Sequence, residues 1–234
     1  VAQLAGARIE AVPLGADGAM DLEAMAQAAQ GRDGRPPARL VFLGRPHNPT
    51  GGAFSGEAFA EFLAALEPDT LVVLDEAYKE FDPSPFEGPA WLAEHPNLIV
   101  TRTFSKIYGL AGLRLGYGLG RPELWQPLYA ARDPFSVNVV AQAAGLAALS
   151  DEQHVLRSQQ LAAAGRRFLA QVAAELGLYA YPSAANFVLI DLGRDALAVS
   201  RALLERGVIV RPAASFGLPT CIRVSCGLPE HNER

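Results

Sequence analysis

Short apolar, β-branched runs alternate along the first part of the chain with segments whose apolar positions recur at helical spacing. The runs predict strands at Arg8–Leu14, Arg39–Gly44, Thr70–Asp75, Asn97–Thr103 and Leu113–Leu119. The periodic segments between them predict helices at Asp21–Gln30, Ser55–Leu66 and Arg121–Ala131. Asp21 and Ser55 stand where an N-cap side chain accepts from the first free amides of a helix. Uninterrupted runs such as Leu71-Val72-Val73-Leu74 suit parallel strands covered on both faces, so the pattern is that of an open α/β sheet. Near Ser150 the character changes. A long helical segment follows, with Val155, Ala162, Leu169, Val172 and Leu176 on one stripe. Short strands are predicted at Gly177–Tyr181, Asn186–Asp191, Gly207–Arg211 and Cys221–Ser225, with a helix over Asp195–Arg206. This is an α+β pattern. It places a boundary at 145–155, between a larger α/β unit (1–150) and a smaller α+β unit (151–234).

Composition narrows the classes. Half of the 234 residues are hydrophobic and 19% are charged, enough for a packed core and against disorder. The net charge of −5 argues against nucleic acid as a partner but leaves room for a small anion in a local basic pocket. Cys221 and Cys226 lack CxxC spacing and are too few for a disulfide framework, so both read as thiols of a reducing compartment. No apolar run approaches membrane-spanning length and no signal pattern opens the chain, so a soluble, cytoplasmic protein without a membrane partner is expected. The opening "VAQLAGARIEAVPL", from Val1, reads as the end of a helix followed by a strand. In the closing "LPEHNER", Pro229 sits where a helix begins. Both ends read as interior to a larger fold.

Polar residues cluster where parallel strands end, the edge at which open α/β sheets bind ligands. "RPHNPTGG" follows the strand ending at Gly44, "DEAYKEF" starts at Asp75, and "TFSK" runs from Thr103 to Lys106. Asp75, at the end of a buried strand, needs a cation or donors to stay ionised; alone it would read as a cap or a local ion pair. Tyr78 can reach the same pocket if the chain turns helically, though a lone tyrosine is more often part of a core. Lysines are usually solvated, but a desolvated Lys106 could attack a carbonyl. Around it Thr103, Ser105 and Arg114 form an anion-binding set, and Gly109 and Gly112 permit the turns that gather them. Asn48 either starts the tight turn of "HNPTG" or donates its amide to a ligand oxygen. His47 reads as solvated loop, and His95, His154 and His231 show no metal-ligand spacing.

In order and spacing, "NPTG", "DEAY", "TFSK…GLAGLRLGY" and "CIRVS" resemble the fold-type I pyridoxal-phosphate aminotransferases over essentially the whole chain. Within them, "RTFSKIYGLAGLRLGYGLG" most resembles the histidinol-phosphate aminotransferases. The resemblance implies a mostly parallel sheet with helices on both faces, a smaller α+β domain, and a homodimer with pyridoxal 5′-phosphate as cofactor. It implies Lys106 as the amine that takes the cofactor aldehyde and then moves the proton. It implies Asp75 on the pyridine nitrogen, Asn48 and Tyr78 on the phenolic oxygen, and Thr103, Ser105 and Arg114 on the phosphate. Arg223 would clamp a carboxylate, and Arg211 is the candidate for the phosphate of histidinol phosphate. The implied reaction moves an amino group between histidinol phosphate and 2-oxoglutarate, in histidine biosynthesis. Threonine-phosphate decarboxylase, an aromatic or broad-range aminotransferase, and an inactive fragment are the alternatives. Arg45 departs from the family pattern, which has asparagine there. The family also carries, before the point matching Val1, a Gly-rich phosphate loop, a ring-stacking aromatic and a tyrosine that reaches across the dimer.

Overall fold

The computed structural model describes residues 2–31 and 34–234. Strands β1 (Leu40–Gly44), β2 (Leu71–Asp75) and β3 (Leu98–Thr103) run parallel, and β4 (Gly116–Leu119) closes the sheet antiparallel to β3. The register pairs Gly44 with Asp75 and Asp75 with Thr101, so the carboxyl ends of the parallel strands form one edge. Helices α1 (Leu22–Ala29) and α2 (Gly56–Ala64) are capped by Asp21 and Ser55, whose side chains accept from Ala24 N and Ala58 N. Both cover the face that carries Val41, Leu43, Val72, Leu74, Leu98 and Val100. Phe59, 0% exposed, sits among Phe54, Phe62, Phe86 and Trp91 at that core. On the alternate positions of β1, Leu40 and Phe42 remain exposed.

Helices α3 (Pro122–Ala131) and α4 (Val139–Leu149) lead to the long α5 (Glu152–Glu175), capped by Asp151. The second sheet is antiparallel, in the order β5 (Tyr179–Ala180), β6 (Phe187–Asp191), β8 (Cys221–Ser225), β7 (Arg211–Pro212), with α6 (Ala196–Glu205) packed beside it. Val188, Ile190 and Ile222 pack with Leu169 and Ala173 of α5. On the other face Phe187 packs with Tyr78, Phe81 and Ile107, which is why β6 is an unbroken apolar run. Helix α5 also holds the segments that follow β2 and β3. Gln159 Nε2 donates to Glu80 O at 2.7 Å, and His154 Nε2 lies 2.9 Å from Ile107 O.

Several expectations need correction. Among the described residues Arg8–Leu14 forms no strand; its single bridge is Leu14 to Met20. The opening segment from residue 2 forms turns rather than a helix end, and Val1 lies outside the described residues. The strand placed at Leu113–Leu119 starts at Gly116, after a 3-10 turn over Ala111–Leu113. Gly207–Arg211 contributes only Arg211 to a strand. Helix α4 was not foreseen, and Leu176 is 69% exposed instead of lying on the buried stripe.

Candidate functional site

The strand ends open onto a cleft of about 490 Å³, lined among others by Phe42, His47, Asn48, Asp75, Tyr78 and Lys106. Each reaches it for a local reason. Asp75 is the last residue of β2, on the face opposite the core, and Ala77 N donates to its Oδ1 at 2.9 Å. Its carboxylate faces the open mouth, but surrounding protein still strips enough water to raise its pKa above the ordinary aspartate value. The Ala77 amide and the charge of Lys106 oppose that rise without cancelling it. Tyr78 enters the cleft because the chain turns into a 3-10 segment at Lys79–Phe81. Its ring stands edge-on to Phe187 at 5.2 Å, and the Lys106 ammonium lies 5.1 Å from its centre. Lys106 itself is exposed to the cleft.

The loop that carries Asn48 is tightly turned. His47 N donates to Gly52 O and Gly51 N to His47 O. Gly51 has φ +82°, and a side chain there would run into Ser183, whose neighbour Ala184 donates its amide to Gly51 O. The second sheet is thereby pressed against this loop. From it Arg223 Nη1 donates to Asn48 Oδ1 at 2.5 Å. Its guanidinium lies 4.8 Å from the Phe187 ring centre, and its Nε–H is buried without a partner among the described residues. A donor in that state is in want of an oxygen. Arg211 sits directly opposite Arg223 in the β7–β8 register, so both lie on one face.

Not every predicted residue lines the cleft. Thr103 ends β3 and Ser105 follows it, and Thr103 Oγ1 accepts from Ser105 N at 3.0 Å and approaches Leu115 O at 3.4 Å. Arg114 stands at φ 54°, a sparsely populated conformation that costs on the order of 1 kcal/mol and gathers at ligand sites. Its Nη1 donates to Ala111 O. These three flank the Lys106 loop rather than facing Asp75. His47, expected in solvated loop, lines the cleft instead. Burial lowers its pKa, and its Nδ1 lies 2.9 Å from Thr50 Oγ1. Its place beside Asn48 was the one signal that pointed there.

Beneath the strand ends lies a charge network that sequence reasoning did not identify. Glu76, fully buried, accepts from Arg102 Nε at 2.8 Å and from Gly88 N at 2.9 Å. Arg102 Nη2 also meets Glu87 at 2.8 Å, and Lys79 Nζ meets Glu87 at 3.2 Å. Desolvation outweighs the pull of Arg102 and raises the Glu76 pKa, while the two carboxylates hold Arg102 charged above its ordinary range. Among the described residues no group of His, Cys, Asp and Glu could hold a metal ion.

Comparison with known proteins gives the family. The family model for class I and II aminotransferases matches residues 1–234. The chain is 56% identical, over its whole length, to the histidinol-phosphate aminotransferase of Symbiobacterium thermophilum. It is 50% identical over 99% of its length to histidinol-phosphate aminotransferase 2 of Ralstonia nicotianae. It spans 63% and 62% of the length of those relatives. The crystal structure of histidinol-phosphate aminotransferase from Sinorhizobium meliloti, in complex with pyridoxal-5′-phosphate, superposes with a TM-score of 0.89 at 36% identity. That match covers 97% of this chain and 62% of that one. An open sheet whose strand ends gather a lysine, an aspartate, a tyrosine and an asparagine, matched by that family model from end to end, places the chain in the class I and II aminotransferase family.

Proposed function

We propose that the protein is a pyridoxal-phosphate-dependent transaminase that moves an amino group between histidinol phosphate and 2-oxoglutarate. The observation that carries the reading is the convergence of Lys106, Asp75, Tyr78 and Asn48 on one cleft, with Arg223 reaching Asn48 from the second sheet. The donor set fits the cofactor. An exposed primary amine, a strand-end carboxylate and a phenol with no protein hydrogen bond among the described residues stand ready for an aldehyde, a ring nitrogen and a phenolic oxygen. When bound, the cofactor supplies an electron sink for the carbanion at the amino-bearing carbon.

The chain's own residues account for the rest. Lys106 Nζ would hold the cofactor through its aldehyde carbon, with water leaving, and, once displaced by the substrate amine, would carry the proton at the amino-bearing carbon. Asp75, already coupled to Lys106 by charge, holds a positive charge at the ring nitrogen in its place. Tyr78 and Asn48 donate to the phenolic oxygen. Thr103, Ser105 and Arg114 hold the phosphate from the side of the Lys106 loop. The unpartnered Nε of Arg223 and its remaining Nη–H groups suit a bidentate carboxylate. Arg211, on the same face, adds a second cation for the phosphate of the alternative substrate. The two sheets support a cofactor-binding unit at 1–150 and a smaller one at 151–234.

A homodimer is supported by apolar side chains exposed at and between α3 and α4, among them Phe135, Val139 and Leu146. The free thiols of Cys221 and Cys226 support a cytoplasmic location. Among the described residues no helix is long and apolar enough to cross a membrane.

The test is direct. Supplied with pyridoxal phosphate, the protein forms glutamate from histidinol phosphate and 2-oxoglutarate. Arg211→Ala slows turnover of histidinol phosphate more than it weakens glutamate. Equal losses for both would assign Arg211 no part in telling them apart, and activity with other amino donors only would refute the substrate.

A further inference from the structure

Arg45 stands where the family resemblance expects asparagine, at the end of β1, yet its side chain does not enter the cleft. It is 3% exposed and every nitrogen of its guanidinium is used. Nε donates to Phe54 O at 2.8 Å, Nη1 to Asp82 Oδ2 at 2.5 Å, and Nη2 to Ser84 Oγ at 3.0 Å. The plane lies 4.0 Å from the ring centre of Phe86. Asp82 is itself buried, and Ser84 donates to it through both backbone N and Oγ. Those bonds and the Arg45 guanidinium hold the Asp82 carboxyl below its ordinary pKa despite its burial.

The connectivity gives this cluster a consequence. The Asn48 turn leaves β1 at Arg45 and meets the core again at Phe54, just before α2. The Nε bond to Phe54 O therefore closes the neck of the loop 46–53. Asp82 and Ser84 belong to the segment that follows Tyr78 and its 3-10 turn at Lys79–Phe81. One side chain thus joins the base of the loop bearing Asn48 to the stretch behind Tyr78. Arg45 N also donates to Asp75 O at 2.9 Å, which ties the same point to the strand end bearing Asp75. A lysine could replace only one of these arms, because three separate acceptors at fixed angles require the planar fork.

We propose that Arg45, clasped by Asp82 and Ser84, is a positioning residue that holds Asn48 and Tyr78 at a common spacing for one ligand oxygen. Its link to pyridoxal phosphate rests on the reading of the preceding section; the clasp itself does not. The residue acts through the two mounts and touches no ligand.

Two readouts separate these claims. In the ligand-free protein, amide hydrogen exchange at His47, Gly51 and Gly52 reports the loop, since those amides are bonded within it or flank its bonds. Arg45→Met keeps the stem against Phe86 and removes the three side-chain bonds while keeping the backbone bond to Asp75; Ser84→Ala removes one arm and spares the ion pair. Leu63→Ala, on the buried face of α2, is the control that lowers the melting temperature without touching the loop. Arg45→Met should speed exchange across 46–53 by about tenfold beyond the control, with Ser84→Ala intermediate. Exchange in 46–53 that matches Leu63→Ala at equal loss of melting temperature overturns the clasp, for either variant.

The second readout is pyridoxal phosphate itself, by its dissociation constant and by the pH midpoint of its visible band when bound. Arg45→Met should weaken binding about tenfold and displace the midpoint, whereas Leu63→Ala moves neither. Faster loop exchange with unchanged affinity and midpoint overturns the positioning role. If the wild-type protein binds no pyridoxal phosphate, the functional reading falls, and the exchange result still decides the clasp.

Discussion

Arg102→Met isolates the charge network under the strand ends. The substitution removes the contacts of Arg102 with Glu76, at 2.7 and 2.8 Å, and with Glu87, at 2.8 Å. Glu87 is about half exposed and keeps Lys79, so water and the remaining cation absorb its loss. Glu76 is 0% exposed and would keep only the Gly88 amide. Breaking a buried ion pair by deleting one partner costs about 3–5 kcal/mol, and the 16% exposure of the Arg102 side chain places this pair near the lower end, about 3 kcal/mol. For a chain of this length that is a fall in melting temperature of about 6–12 °C.

The loss should also depend on pH, with a definite sign. Burial already raises the Glu76 pKa, and removing Arg102 raises it further. A carboxyl whose native pKa lies above its unfolded value binds more protons in the native state, so stability falls as pH rises between the two values. The deficit of the variant should therefore shrink as pH falls through the variant's further-raised Glu76 pKa toward that of the wild type, by at most about 1.4 kcal/mol per pH unit. Urea unfolding at a series of pH values measures it. The double variant Arg102→Met/Glu76→Gln, which leaves no buried charge, should recover most of the loss. A deficit independent of pH, or a double variant no more stable than the single one, would refute the argument.

Other outcomes follow from the same geometry. Phe59→Ala should cost about 3–5 kcal/mol in urea unfolding, because its ring is fully buried among other aromatics. Arg223→Lys should raise the KM for glutamate about tenfold or more while leaving the fold intact by circular dichroism, since an ammonium cannot form the bidentate pair. Asp75→Asn should weaken pyridoxal phosphate by about 10- to 100-fold in equilibrium dialysis, the worth of one charged hydrogen bond. In the wild type that binding should weaken as pH falls through the raised Asp75 pKa, because the protonated carboxyl no longer offers a negative charge.

What could be read from the residues followed the reach of local physics. The caps Asp21 and Ser55 and the continuous run Leu71–Leu74 were legible because each is settled by neighbours within one helical turn or one strand. Helix α4 was not, since Val139–Leu149 contains no charged residue and offers no polar face to contrast with an apolar one. The antiparallel direction of β4 was invisible in a run that reads the same either way. At the site, Asp75, Tyr78 and Lys106 could be grouped by their positions at strand ends. The bond between Arg223 and Asn48 spans 175 residues of sequence, and the fourfold engagement of Arg45 depends on Phe54, Asp82, Ser84 and Phe86. No periodicity encodes such contacts.

The central claim is that Lys106, on its strand-end loop, takes the cofactor aldehyde. It is tested most directly by the visible absorbance of the protein with pyridoxal phosphate, wild type against Lys106→Ala. A pH-dependent visible band in the wild type, absent from Lys106→Ala, is the predicted result. The same band in both proteins, or in neither, would contradict it.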